Sequence, residues 1–570
     1  MKKIKAKADF LIEVSYEIVK QLGGIHTVIK TKAPFIKKYY GENYLVIGVY
    51  TKEGIKKRFK ARKPSKEIRK LFLELKNEKI LARYGTWLVK SNPKAILIDT
   101  RKLRKDKKIK SIIKKEYGIG LSSKDYYQRD SFLFGYAAGR LIYELRKLNF
   151  LKNKKIVVNA HEYMSGLCLL YLRKHKANLP LVFTTHATVL GRTISYKGEN
   201  IQKTILRLSK KGKHEHEKKV KEYIKKINKI TYTKHLVEKA CSKKADVFTT
   251  VSETTSKEAA FLLGKKADII TPNGLEIIKH PSIDEQLAIN YKSKQKIYRF
   301  LEAYFYPYYW INTKDSLLFY TSGRNEIYTK GYDLFFEALN KLNSRLKREK
   351  YEGNIFVFLF IMIRKKRIKK IIKKTLYAYR KNKKLLKKIK LTKNPPNCAF
   401  DTRGDNTVLM YLKKNKLENK KSDKVKVIFY PAPVEENDGL LSMSYKEIIS
   451  GMDLGIFPSL YEPWGYTPLE SAAMSTITIT TDIAGFGRFI KEKSDQRKRQ
   501  GIIVLRTKRK TRLEIIENLA KTMQEIVNMP KEKRLKMRID ANKLSGFANW
   551  EEFSKNYIKA HNLALEKHKK

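Results

Sequence analysis

The sequence predicts an α/β protein: two Rossmann-like parallel-sheet domains facing across a cleft, with helices at the C-terminal end. Two observations lead there. Short apolar runs alternate with amphipathic helical stretches along the 570 residues, as in βαβ units whose sheets are covered on both faces. The runs also fall into two groups, and one sheet holding all of them would be too wide. The first group is YLVIGVY (44–50), KIVVNAHE (155–162), LPLVFTTHAT (179–188), ADVFTTVSE (245–253) and ADIITPNG (267–274). The second is LLFYTSGR (317–324), NIFVFLFIMI (354–363), KVKVIFYP (424–431) and DLGIFPSLYEPWG (453–465). Between them lies an aromatic, helix-prone stretch without a central strand, which puts the domain change near residue 280. The expected domains are 1–280, 281–550 and a helical tail, 551–570.

Composition narrows the function. An apolar fraction of 42% with 11% aromatics excludes a disordered chain. The 125 Lys and Arg against 56 Asp and Glu give a formal charge of +69, which favours acidic ligands in general. The lysines are spread along the chain without a separate basic tail, and there is no RNP pair, GXXG-type clamp or zinc finger, so no specific nucleic-acid partner is expected. Three distant cysteines argue against a disulfide framework and a zinc site, and no metal is expected. The N-terminus lacks a signal pattern, and the most apolar run, IFVFLFIMI, is half a membrane span and reads as a buried strand. A cytoplasmic protein without a membrane partner is expected. A basic surface helix is read in KKIIKKTLYAYRKNKKLLKKI, inside a Lys-dense segment from Arg364 to about Leu417.

In parallel sheets, ligands sit beyond the carboxyl ends of strands, so polar residues ending the runs are the site candidates. In SLYEPWGYTPLES, Thr467 is expected as N-cap, Pro468 as first helical residue and Glu470 as the partner in a capping box. The amides of the Gly465, Tyr466 and Thr467 turn would then face a phosphate. Glu462 would hold sugar hydroxyls or support positive charge developing at an anomeric carbon; the bland alternative is a surface charge beside a capped helix. Gly23 and Gly24 would let backbone approach an anionic group, or form an ordinary turn. His161 and His186 end strands, with Arg192 six residues after His186. His186 would exchange a hydrogen bond with a sugar hydroxyl, or be a satisfied core histidine. Arg324 and Lys330 would clamp a diphosphate leaving group, or be two more surface cations. No GxxxxGK[ST], HRD or DFG set is present, which disfavours a kinase or ATPase.

YEPWGYTPLE, HEYMSGLCL, FTTHATVLGR, VFTTVSETTSKEA, TPNGLE, and SGR followed by KGYDLFFEALNKLN closely resemble the glycogen synthases of the eukaryotic type. The likeness runs from FLIEVSYEIVKQLGGIHTVIKTKAP to at least Trp550, with a poor stretch from about Arg364 to Lys424. It implies the two-domain GT-B arrangement and transfer of glucose from UDP-glucose to the non-reducing end 4-hydroxyl of an α-1,4-glucan, with retention and no cofactor. It also implies a homo-oligomer acting on glycogen or another α-glucan. It would set Glu462 nearest the donor glucose and Glu470 at the ribose, with Arg324 and Lys330 on the departing diphosphate. Gly24 would lie against the phosphates, His186 and Arg192 would be the first-domain active-site pair, and Tyr445 would stack on uracil.

The chain departs from the family at FLFIMIRKK, PPNCAFD and KVIFYP, where Tyr430 replaces a histidine. It also keeps Arg534 and Arg538 but fewer of the family's arginines in PKEKRLKMRIDANKLSGFANW, which weakens the expectation of sugar-phosphate activation. Alternatives carried forward are the same reaction with ADP-glucose, a basic nucleic-acid binder and a non-catalytic glucan binder.

Overall fold

The computed structural model describes residues 4–569 except 22, 209–211, 277–281, 364–366, 383–388, 390, 402–405 and 496–499. Two units are present, one of residues 1–194, 199–276 and 548–570, the other of 195–198 and 277–547. The expected change of domain near residue 280 lies outside the described residues.

In the first unit, β1 (Phe10–Val14), β2 (Tyr44–Val49), β3 (Phe59–Ala61), β4 (Leu81–Trp87), β5 (Lys94–Asp99), β6 (Ile156–His161), β7 (Leu181–Thr185), β8 (Val247–Thr250) and β9 (Ile269–Ile270) form one sheet, ordered β3-β4-β5-β2-β1-β6-β7-β8-β9. From β5 to β9 it is parallel, whereas β3 and β4 add an antiparallel edge that the sequence reading did not anticipate. The chain runs outward from β1 to β2, then returns to β6 on the other side. That reversal makes a switch point, where crevices open beyond the carboxyl ends of strands. The last helix, Trp550–His568, belongs to this unit: the Trp550 indole donates to Thr31 Oγ1 at 2.8 Å, and Leu275 bridges Asn549.

In the second unit, β10 (Leu317–Arg324), β11 (Ile355–Met362), β12 (Val425–Phe429), β13 (Leu454–Ile456), β14 (Ile477–Thr481) and β15 (Ile502–Leu505) form a parallel sheet ordered β12-β11-β10-β13-β14-β15. Its switch point lies between β10 and β13. IFVFLFIM is a strand buried over its first seven residues, which explains why so apolar a run is short. The helix Tyr332–Arg348 buries Leu334, Phe335, Leu339 and Leu342 in the core of this unit. The basic helix is observed over Lys370–Lys381; most of the remainder of that stretch lies outside the described residues. The expected fold class, α/β with two Rossmann-like parallel-sheet units and C-terminal helices, is the one observed. Among the described residues no helix is long and apolar enough to cross a membrane.

Candidate active site

In the second unit the candidate residues gather at the carboxyl ends of β10 and β13. After β10 the loop turns back through Gly331, whose φ is +65° and where a Cβ would lie 2.2 Å from the Pro458 carbonyl oxygen. Only glycine allows that approach. It brings the Thr329 carbonyl to the amides of Leu460 (2.9 Å) and Tyr461 (3.1 Å), which locks the two loops together. Lys330 Nζ consequently reaches Glu462 Oε2 in an ion pair, and Ser459 Oγ donates weakly to the same oxygen at 3.4 Å. Both side chains are largely buried, so the pair is screened less than surface pairs. Arg324, at the end of β10, is exposed and pairs with Glu326 at 3.0 Å.

The Pro, Trp, Gly and Tyr around Glu462 fix the turn. Gly485 N–H donates to the Glu462 carbonyl at 3.1 Å, Phe486 N–H to that of Trp464 at 2.8 Å, and Thr481 Oγ1 to that of Ser459 at 2.7 Å. The Trp464 ring lies against Phe486 and Phe489. The helix that follows is Tyr466–Ala473, and here the structure corrects the sequence reading. Its N-cap is Gly465, at φ +113° and without a side-chain cap, so Thr467 is not the N-cap and Glu470 is not in a capping box. The left-handed glycine makes the turn in place of a hydroxyl cap. Pro468 then falls within the first turn, where its missing N–H has no intrahelical partner to lose. Glu470 lies in the helix body, and loss of hydration pushes its pKa up to about 7 against the pull of Lys446. Tyr445 begins the helix Tyr445–Gly451; its hydroxyl meets Ser322 Oγ at 2.6 Å and its ring meets Phe360 edge-on.

In the first unit the carboxyl ends of β1, β6 and β7 carry a buried polar chain. Glu13 of β1 is 0% exposed; its carboxylate takes Lys32 and Tyr44, and His161 Nε2 at 2.7 Å. His161 Nδ1 meets His186 Nε2 at 3.0 Å, and His186 Nδ1 is buried without a hydrogen-bond partner among the described residues. Burial raises the Glu13 pKa, but the Lys32 charge and the His161 hydrogen bond outweigh it and hold the group well below the carboxylate range. Burial pushes both imidazoles down, so they are neutral at pH 7.

Glu162, next after β6, sits at φ +62° and accepts the amides of His186 (2.8 Å) and Ala187 (3.2 Å). Burial raises its pKa to about 7. A left-handed, buried, non-glycine residue costs about 1–3 kcal/mol and marks a place where the surroundings impose the conformation. Arg192 is exposed on the helix Val189–Tyr196, and its charge opposes the rise at Glu162.

The glycine turn differs from its expected role in one respect. Gly23 is the extended N-cap of the helix Gly24–Tyr40, and Glu17 Oε2 already accepts the amides of Gly23 (2.9 Å) and His26 (3.4 Å). A carboxylate thus stands where an anion would bind, while a Cβ on Gly24 would meet nothing within 4 Å. Arg534 and Arg538 also have partners. Arg538 is buried and donates to the carbonyls of Met452 (2.6 Å) and Ser450 (2.9 Å), and Arg534 donates to that of Met529. Tyr430, in the histidine's place, donates to Asp438 at 2.5 Å.

The residues that sequence reasoning did not single out are Glu13, Glu17, Lys32, Tyr44 and Glu162. The signal for Glu13 was an acid inside the apolar run FLIEV, since a charge in a doubly covered strand needs a partner. Among the described residues no group of three or more His, Cys, Asp or Glu is placed to hold a metal ion.

The glycogen synthase family model matches residues 13–370 and 366–569. The chain belongs to the glycogen synthase family. It is 29% identical to glycogen [starch] synthase isoform 1 of Saccharomyces cerevisiae, over 98% of this chain and 86% of that one. Against the liver glycogen [starch] synthase of Mus musculus the identity is 28%, covering 98% and 83%. Among solved structures, the catalytic domain of starch synthase IV from Arabidopsis thaliana, bound to ADP and acarbose, matches with a TM-score of 0.54 at 12% identity, over 98% of this chain and all of that one. That likeness speaks for the fold of this glycogen synthase family member.

Proposed function

We propose that the chain is a retaining glucosyltransferase that moves glucose from UDP-glucose to the 4-hydroxyl at the non-reducing end of an α-1,4-glucan. The observation that carries this reading is the Lys330–Glu462 pair, held by two locked loops at the carboxyl ends of β10 and β13, with Arg324 at the end of β10. Cations placed there suit a diphosphate whose charge grows as it leaves, and a carboxylate beside them suits a sugar carbon that turns positive.

The bond from the anomeric carbon to the diphosphate oxygen breaks, and its electron pair leaves with UDP. The acceptor oxygen then bonds to that carbon from the same face, and its proton passes to a leaving phosphate oxygen. Retention follows without a covalent intermediate, so Glu462 and Glu470 need not act as the acid and nucleophile of a glycosidase. Lys330 and Arg324 stabilise the diphosphate, and the amides of the Gly465, Tyr466 and Thr467 turn, at the start of a helix, support it. Glu470 and Tyr445 hold the nucleoside end. In the first unit His186 and Arg192 serve the sugar, and Gly23 and Gly24 serve the phosphates once Glu17 gives up the amides of Gly23 and His26. The enzyme acts in the cytoplasm as a homo-oligomer on glycogen or another α-glucan.

Purified protein incubated with UDP-glucose or ADP-glucose, each with and without glycogen, tests the reading through nucleotide release. Acceptor-dependent release from UDP-glucose is expected. Turnover of the adenine donor with little of the uracil one would move the assignment to ADP-glucose, and release from neither would refute it.

A further inference from the structure

We propose that Glu13 and His161 are positioning residues that lock His186 in one tautomer, Nε2 protonated and Nδ1 bare, so that His186 reads a substrate hydroxyl by accepting its hydrogen. The argument runs outward from Lys32. Lys32 and Glu13 are 1% and 0% exposed, and the Lys32 ammonium lies 3.7 Å from the centre of the Tyr557 ring on the last helix. An ammonium against one oxygen and the Tyr44 hydroxyl against the other hold Glu13 as a carboxylate. A carboxylate only accepts, so His161 Nε2, 2.7 Å away, must carry a hydrogen.

A second cation on the oxygen that already serves Lys32 is disfavoured, so His161 is neutral and its Nδ1 is a lone pair. His186 Nε2, 3.0 Å from that lone pair, must therefore carry the hydrogen, which leaves His186 Nδ1 as an acceptor. That atom is buried and has no hydrogen-bond partner among the described residues. A buried acceptor without a donor is costly unless something supplies one. The group that fits has an O–H to give, as a sugar does; an ionised phosphate oxygen, which only accepts, does not. The identity of the sugar rests on the proposed glucosyl transfer, whereas the tautomer is a property of the free protein.

Nitrogen-15 NMR of the full chain labelled at histidine tests this directly, with the His186 signals assigned by their loss in His186→Asn. A protonated Nε2 and an unprotonated Nδ1 at pH 7 are expected; the opposite tautomer or an imidazolium overturns the proposal. A double variant, Lys32→Met with Glu13→Leu, supplies a second arm. It removes the ammonium and the carboxylate together, so His161 Nε2 has no acceptor for a hydrogen, keeps the lone pair instead, and the chain reverses to make His186 Nδ1 a donor. Roughly a tenfold rise in KM for the hydroxyl-bearing substrate is expected, the size of one lost hydrogen bond. A folded double variant with the wild-type tautomer and KM overturns the proposal. If that variant does not fold, the wild-type spectrum decides alone. If no nucleotide sugar is turned over, the glucosyl reading fails while the tautomer result stands.

Discussion

The two candidate clusters are built on opposite terms. In the first unit the charges are sealed: Lys32 and Glu13 lie within the protein, and a chain of hydrogen bonds leads from them to one buried imidazole nitrogen. In the second unit Lys330 and Glu462 are largely buried but keep 12% and 16% of their side-chain surface exposed, and Arg324, paired with Glu326, is half exposed. A sealed network is fixed by its own energetics, since breaking it strands a charge in a low dielectric. A pair that still reaches solvent can exchange partners with an incoming charged ligand. Fixed hydrogen-bond reading belongs to the first cluster and stabilisation of charge that appears during reaction to the second.

Substitutions should separate the two. The largest effect is expected at Lys32→Met, which strands Glu13 and should lower stability by about 3–5 kcal/mol, read by urea denaturation. If Lys32→Met leaves stability unchanged, the first cluster is not sealed as described. Lys330→Ala should behave oppositely, with a fall in kcat of about 10²–10³-fold and a small change in melting temperature, because its role is at the diphosphate. A variant that melts early but retains its kcat would reverse the contrast.

Arg538→Ala should cost about 2–4 kcal/mol, since it uncovers the carbonyls of Ser450 and Met452 that close the helix carrying Tyr445. Glucose 6-phosphate should not protect the wild-type protein from denaturation through this arginine, because its donors are already engaged.

The smallest effect concerns Glu470. Its native pKa, about 7, lies above the ordinary 4.5, so the folded state favours the protonated form. That contribution is complete below about pH 4.5 and is lost as the pH rises through 7. Glu470→Gln should therefore match the wild type at pH 4.5 and exceed it by about 2 kcal/mol at pH 8, discounted because part of the group reaches solvent. An equal difference at both pH values would contradict the burial argument.

Much of this was legible in the sequence, and what was missed has physical causes. The doubly buried strands announced themselves as apolar runs, and the polar residues that end them marked the strand ends where the candidates lie, whereas the switch points depend on strand order, which the runs do not carry. β3 and β4 did not, because LARYGTW at the sheet edge is half exposed and lacks an apolar run. The capping error at Thr467 arose because hydroxyl caps are common at helix starts, whereas here a left-handed glycine does the work and nothing in TPLE distinguishes the two. The return of the last helix to the first unit depends on Trp550 and Leu275, which are distant in sequence and meet only in the fold. Glu17 on the glycine turn was hidden for a different reason, since a carboxylate six residues before Gly23 reads as loop charge.

The most direct test of the account is the initial rate of UDP release from UDP-glucose with glycogen, for the wild type and Glu462→Ala side by side, with circular dichroism to establish equal folding. The account predicts acceptor-dependent release by the wild type and a fall of about 10²–10³-fold in kcat for the variant. Equal rates from two equally folded proteins would contradict it.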